Sequence, residues 1–262
     1  MKIRISLPFI GLAGLILLVG LACGGGTTTT TTQPPAIQNP PTQPPVQATE
    51  PPTQAPTEQP TEPPTEAPTD TPAEAPAYFT EEFDGEIPNW SYFLMKGDET
   101  KMDLGTDNGI LTFDLNGEDQ WVYIMYDPYT YSDIRIDARV ENRGFNTNNV
   151  SMICRYDKKY GWYEFNVANN GLYWILAYDE TIKDYQTLFN GGSTAIHSGK
   201  DINEYTTICS GTTLALYING VEVRTITEKR FAFRDGKAGI GVSSFDVLPI
   251  IVEWDYVTFS EP

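Results

Sequence analysis

Three side chains able to do chemistry fall at alternate positions of one short run: Trp162, Glu164 and Asn166 in GWYEFNV. A strand sends alternate side chains to opposite faces. An indole, a carboxylate and an amide therefore share one face, and Tyr163, Phe165 and Val167 share the other. A ring beside groups that fork onto hydroxyls is what a sugar requires. The ring covers the apolar C–H face, and the polar groups fix the hydroxyls. Arg155 precedes them in ICRYD, across the charged turn DKKYG, and is a fourth candidate. A plainer account stands beside this one. Trp and Tyr are ordinary strand residues, and an Arg155–Glu164 cross-strand ion pair would contribute under about 1 kcal/mol.

Signals for catalysis are weaker. Asp137 and Glu141 in DARVE share a face, but Arg139 stands between them, as on a charged solvated face. The one histidine, His197, sits in the turn-like STAIHSGKD, and no nucleophile elbow exists for it to serve. GGST at 191–194 lacks the strand and helix that a phosphate loop needs. With Cys23 set aside in the N-terminal apolar run, His197, Cys154 and Cys209 are too few soft ligands for zinc.

These residues belong to a chain of three parts. Residues 1–23 open with Lys2 and Arg4, continue as an uncharged apolar run and stop at Ala22-Cys23. That is the grammar of an export signal, although a run of this length also approaches a membrane span. Residues 24–77 hold six acids and no base, built from Thr, Pro, Gln, Glu and Ala with near-repeats TEQP, TEPP, TEAP. Such a composition is expected to stay disordered, because it buries too little apolar surface to offset ordering. Its prolines favour an extended chain that could reach about 170 Å at the polyproline rise. Residues 78–262 are the candidate domain, with 29 acids and 15 bases within a whole-chain charge of −18. So acidic a surface argues against nucleic acid as a partner and is compatible with a neutral polysaccharide.

The domain reads as β throughout. In DIRIDARVE, Ile134, Ile136, Ala138 and Val140 alternate with Arg135, Asp137, Arg139 and Glu141. WVYIMY is apolar or aromatic at both alternate sets, which predicts a strand covered on both faces. In GLYWILAY both faces are also apolar, so the facing of Trp174 is open. Asn108-Gly109, Asn116-Gly117, Asn170-Gly171, Asn219-Gly220 and Asp235-Gly236 mark turns. TTLALYINGVEVRTI reads as one hairpin. About a dozen short strands and no convincing helix predict an all-β, two-sheet antiparallel sandwich.

Here a resemblance enters. LALYINGVEV, then AGIGVSS, then VEWDYVTF resembles the last third of a concanavalin A-like, laminin G-like jelly roll. ICRYDKKYGWYEFNV resembles its central hairpin, and EEFDG with NW resembles its opening strand. GLAC is similar to a bacterial lipoprotein cleavage box, with Gly20 in place of the usual leucine, which makes Cys23 the expected lipid-bearing residue. Lipoprotein or uncleaved anchor, either puts the domain at the cell surface, tethered to the membrane. The jelly roll hosts lectins, adhesion modules, carbohydrate-binding modules and glycoside hydrolases.

The resemblance carries further expectations. It implies that the strands of Cys154 and Cys209 lie side by side and that the two form a disulfide, free thiols being the alternative. With Cys154 pointing between the sheets, simple alternation sends Met152 and Tyr156 inward. Arg155 would then face out onto a concave sheet with Trp162, Glu164 and Asn166, and Trp174 is a further candidate ring. A glycan site on this plan requires Trp162 to stand open in a groove. The fold's family 16 glycoside hydrolases carry Glu-x-Asp-x-Glu on one strand; DARVE departs from it in the first and middle acids. A structural calcium joining the first and last strands would use Asp84 and Asp255. The leading expectation is a non-catalytic carbohydrate-binding module. The rivals are a hydrolase or lyase with an unrecognised carboxylate pair, and an adhesion domain working through loops such as NRGFNTNN at 142–149.

Overall fold

The structure, a computed structural model, describes residues 74–262 apart from Phe145 and Ala232. The export signal with Cys23, and the linker as far as residue 73, lie outside the described residues. Fifteen strands and a single 3-10 turn, Glu99–Lys101, make up the regular structure of the described residues.

The strands are β1 Phe79–Glu81, β2 Trp90–Lys96, β3 Met102–Asp107, β4 Ile110–Leu115, β5 Trp121–Tyr126 and β6 Ile134–Asn142. Then come β7 Asn148–Asp157, β8 Gly161–Ala168, β9 Leu172–Asp179, β10 Asp184–Gly192 and β11 Ile202–Ser210. The chain ends with β12 Thr213–Ile218, β13 Val221–Thr227, β14 Lys237–Ser244 and β15 Ile250–Ser260. One sheet runs β13-β12-β11-β6-β15-β4-β3, with β1 also on β15; the other runs β10-β9-β8-β7-β14-β5-β2. The pairings are antiparallel, including those between strands distant in sequence such as β14 with β5 and β15 with β6. This is the two-sheet jelly roll expected from the alternation.

Local chemistry explains the hairpins. Asn108-Gly109 joins β3 to β4 and Asn219-Gly220 joins β12 to β13, with both residues of each pair at positive φ. Two consecutive left-handed residues match the twist of the flanking strands. Asn116-Gly117 follows β4 and Asp235-Gly236 precedes β14, where the chain changes sheet instead of turning back.

The core lies between the sheets. Leu111, Phe113, Ile136, Ala138, Val252 and Trp254 meet Val122, Ile124, Met152, Phe165, Ile175 and Val242. Cys154 and Cys209 are disulfide-bonded. The expectation that their strands are neighbours is corrected, because β7 and β11 belong to opposite sheets. The bridge therefore crosses the core. WVYIMY is covered on both faces: Val122, Ile124 and Tyr126 enter the core, while Tyr123 and Met125 join a second buried cluster on the outer face. The charged side chains of DARVE face solvent, with Asp137 paired to Arg135 and Arg139 to Asp255, while Ala138 and Val140 enter the core.

Candidate functional site

The second buried cluster occupies the outer face of the β10-to-β2 sheet. Across its middle, Trp174, Asn166, Ser151, Gly241 and Tyr123 form one row on β9, β8, β7, β14 and β5. The sheet is strongly concave here. In a flat sheet β5 and β10 would be about 24 Å apart at the usual strand spacing. Yet the Trp121 and Tyr185 rings, from those two strands, meet edge to face at 5.6 Å.

Glycine permits part of this. Gly239 and Gly241 of AGIGVSS alternate with the core residues Ile240 and Val242 and so face the trough. A Cβ on Gly241 would lie 2.3 Å from Tyr123 Cδ1. The missing side chain lets the Tyr123 ring lie across β14 and reach β8.

Glu164 is at the centre, 1 % exposed. Ser151 Oγ donates to its Oε1 at 2.6 Å, and Asn166 Nδ2 does so at 3.0 Å. Tyr185 OH donates to Oε2 at 2.8 Å, with longer contacts from Tyr123 OH at 3.3 Å and Trp162 Nε1 at 3.4 Å. No lysine or arginine of the described residues forms a salt bridge with it. Burial, and then the Glu164 charge, push the Tyr123 and Tyr185 phenols well above the usual tyrosine range. Both stay protonated and act as donors.

A cleft of about 310 Å³ opens beside this network. Its rings are Trp121, Tyr123, Trp174, Tyr185 and Phe245, and its polar groups are Asn149, Glu164, Asn166, Thr187 and Ser243. Trp121 Nε1 and Asn149 Oδ1 have no hydrogen-bond partner in the protein. Both atoms are buried, although their residues line the aromatic opening. Glu164 is the only carboxylate among the lining residues.

Of the residues singled out from sequence, Glu164, Asn166 and Trp174 come together at this cleft. The facing of Trp174 is resolved by its register opposite Asn166. Trp162 points to the same face but is 3 % exposed, so the expectation of an open indole is corrected. Tyr178 stacks on it at 4.2 Å, and Tyr156, Phe93 and Tyr185 close the remaining sides.

Arg155 is the second correction. The β7–β8 register shifts between Cys154 and Asp157, and Arg155 takes φ +54°. This bulge adds a residue to β7 and reverses the alternation beyond Cys154. Tyr156 therefore faces the trough, against Phe93 and Trp162, instead of the core. Arg155 leaves the Trp162 face altogether. Its guanidinium is buried against the Tyr163 ring and donates to Ser132 O, Phe233 O and Asp133 Oδ1 at 2.8, 2.9 and 3.2 Å. The expected Arg155–Glu164 partnership does not form.

Of the acids expected to hold calcium, Asp84 follows β1 and Asp255 lies on β15. Asp255 gives its carboxylate to Arg139. Among the described residues no three His, Cys, Asp or Glu side chains group as metal ligands. His197 is fixed in its loop, with Nδ1 2.9 Å from Ile202 O.

Sequence reasoning missed Trp121, Tyr123, Asn149 and Tyr185. The glycines of AGIGVSS were the available signal for Tyr123, since two glycines on one strand face mark a place where something large crosses. Tyr185 belongs to DYQTLFNGG, whose weak alternation hides a strand that also carries a register shift between Thr187 and Phe189.

No protein-family model matches the chain, and no curated protein matches its sequence. Solved structures do share its architecture. A family 16 glycoside hydrolase from a mixed-linkage glucan locus of Bacteroides ovatus, in complex with its G4G4G3G product, superposes with a TM-score of 0.54 at 10% identity. That match covers 70% of this chain and 99% of the hydrolase. A prokaryotic β-1,3-1,4-glucanase (lichenase) derived from a mouse hindgut metagenome gives 0.53 at 11% identity, covering 71% and 99%. The β-glucanase of Bacillus licheniformis gives 0.52 at 11%, covering 71% and 98%. At these identities the likeness is one of fold, and the fold is the concanavalin A-like jelly roll.

Proposed function

We propose that the protein is a non-catalytic carbohydrate-binding module that holds a polysaccharide in the cleft between Trp121 and Trp174. The observation that carries this reading is the concave opening itself, where the Trp121, Trp174 and Tyr185 rings stand beside the side chains of Asn149, Asn166 and Thr187. A sugar hydroxyl both donates and accepts, so it can pair with amide and hydroxyl side chains, while a ring face covers the C–H side of the sugar. Glu164, Asn166 and Trp174 are the binding residues retained from the sequence. The single carboxylate supports binding over hydrolysis, because a two-carboxylate mechanism needs a second acid about 5–10 Å away. Glu164 is moreover engaged on both oxygens by the protein's own donors.

The basic start, apolar run and Cys23 support a place at the cell surface, anchored in the membrane by lipid or by an uncleaved segment. The Pro-rich residues 24–77 would serve as the stalk. Pull-down on insoluble and gel-immobilised polysaccharides, with wild type and Trp174→Ala, tests the binding. Retention of the wild type alone is expected. A folded wild-type chain that is retained on none of them removes the proposal.

A further inference from the structure

The charge of the cleft narrows its ligand. Glu164 is buried, is hydrogen-bonded only by neutral donors, and has no cation within salt-bridge distance among the described residues. Five neutral donors meet its oxygens, and no cation stands beside it to offset a negative charge. A buried carboxyl group without a counter-ion is costly to ionise, and a ligand ammonium would offset that cost. No lysine or arginine lines the cleft, and the domain around it carries 29 acids against 15 bases. A uronate or sulfate would enter against like charge at short range.

Five aromatic rings border the same space. Ring faces attract ammonium groups, more so where water is excluded. The chain already uses one face in this way. Lys96 Nζ lies 5.5 Å over the Trp121 ring, with Asp119 as its ion-pair partner.

Resting on the glycan-binding reading, we propose that the cleft is selective for amine-bearing sugars: a hexosamine unit whose free ammonium sits among the Trp121, Trp174 and Tyr185 rings above the Glu164 carboxylate. The asparagine amides take the hydroxyls. N-acetylation would remove the charge, and a carboxylated sugar would reverse it.

Calorimetry of the full chain with four oligosaccharides of equal length tests this. They are a glucosamine oligomer, its N-acetylated counterpart, a neutral glucose oligomer and a galacturonate oligomer, compared in high salt to screen the net charge of the protein. The glucosamine oligomer is expected to bind about tenfold tighter than its acetylated counterpart, as for one desolvated cation–ring contact. The galacturonate is expected not to bind. Glu164→Gln should narrow the gap between the amine and acetylated oligomers severalfold. Trp174→Leu, at a partly exposed site, should weaken the amine oligomer several-fold more than the acetylated one. Neutral oligomers binding as well as the amine would overturn the selectivity and leave the glycan-binding reading standing. So would a preference that survives both variants. Failure of all four to bind would overturn both.

Discussion

The phenol oxygens of Tyr123 and Tyr185 lie 3.0 Å apart, although four strands separate β5 from β10 in their sheet. The two residues arch across the trough and meet above Glu164. One half of the concave face is thereby roofed, with Trp162 sealed inside, and the other half stays open as the cleft with Trp174. The division between scaffold and binding surface is thus set by which strands curl toward each other.

Trp162 and Trp174 should behave oppositely on truncation. Trp162→Ala empties a buried stack and is expected to cost roughly 3–5 kcal/mol of stability. Trp174→Ala should cost no more than about 1 kcal/mol while abolishing retention on polysaccharide. Denaturant melts run beside pull-downs would separate the two. Equal stability losses would contradict the burial difference.

Gly241→Ala places a methyl where Tyr123 lies. The ring must move away from Glu164, with an expected loss of about 1–3 kcal/mol from overpacking. Binding should weaken as well, because Tyr123 lines the cleft. A variant as stable as wild type would mean that the ring does not cross β14.

Arg155→Ala removes three hydrogen bonds that tie the bulge of β7 to Ser132, Asp133 and Phe233. A loss of roughly 1.5–3 kcal/mol is expected, with polysaccharide retention unchanged in the folded fraction. Loss of retention at unchanged stability would return Arg155 to the binding surface.

The bridge between Cys154 and Cys209 closes a 55-residue separation across the two sheets. Cys154→Ser with Cys209→Ser should lower stability by about 4 kcal/mol on the loop-entropy model. Mass spectrometry of the wild type should show a gain of two hydrogens on reduction, and no gain would exclude the bridge.

Alkali should unfold the protein. Burial raises the Tyr123, Tyr185 and Tyr205 phenols, and Glu164 adds to the first two. A group whose pKa is raised by folding stabilises fully below its unfolded value, about 10 for tyrosine. That stability is lost as pH rises above it, because the unfolded chain gives up protons first. Melting temperature should therefore be level through neutral pH and fall beyond about pH 10, with tyrosinate absorbance rising in the same step. A melting temperature that holds above that pH would contradict the burial of these phenols.

Much of the fold was legible because it is written in short-range chemistry. Period two in DIRIDARVE fixed which side chains of β6 enter the core, and Asn-Gly pairs fixed two tight hairpins by their tolerance of positive φ. The double apolar pattern of WVYIMY announced a second covered face. The facing of Tyr163, Phe165 and Val167 followed from alternation alone, and so did the shared face of Trp162, Glu164 and Asn166.

Sequence alone thus determined a two-sheet β domain with its central hairpin in the right parity up to Cys154. Only the tertiary structure decided the site. One extra residue at Arg155 reverses the side chains at the end of β7, and alternation has no way to announce a bulge. Whether Trp162 is open or sealed depends on Phe93, Tyr156, Tyr178 and Tyr185, from four other strands. Curvature brings the last of these over it, and curvature is a property of the assembled sheet.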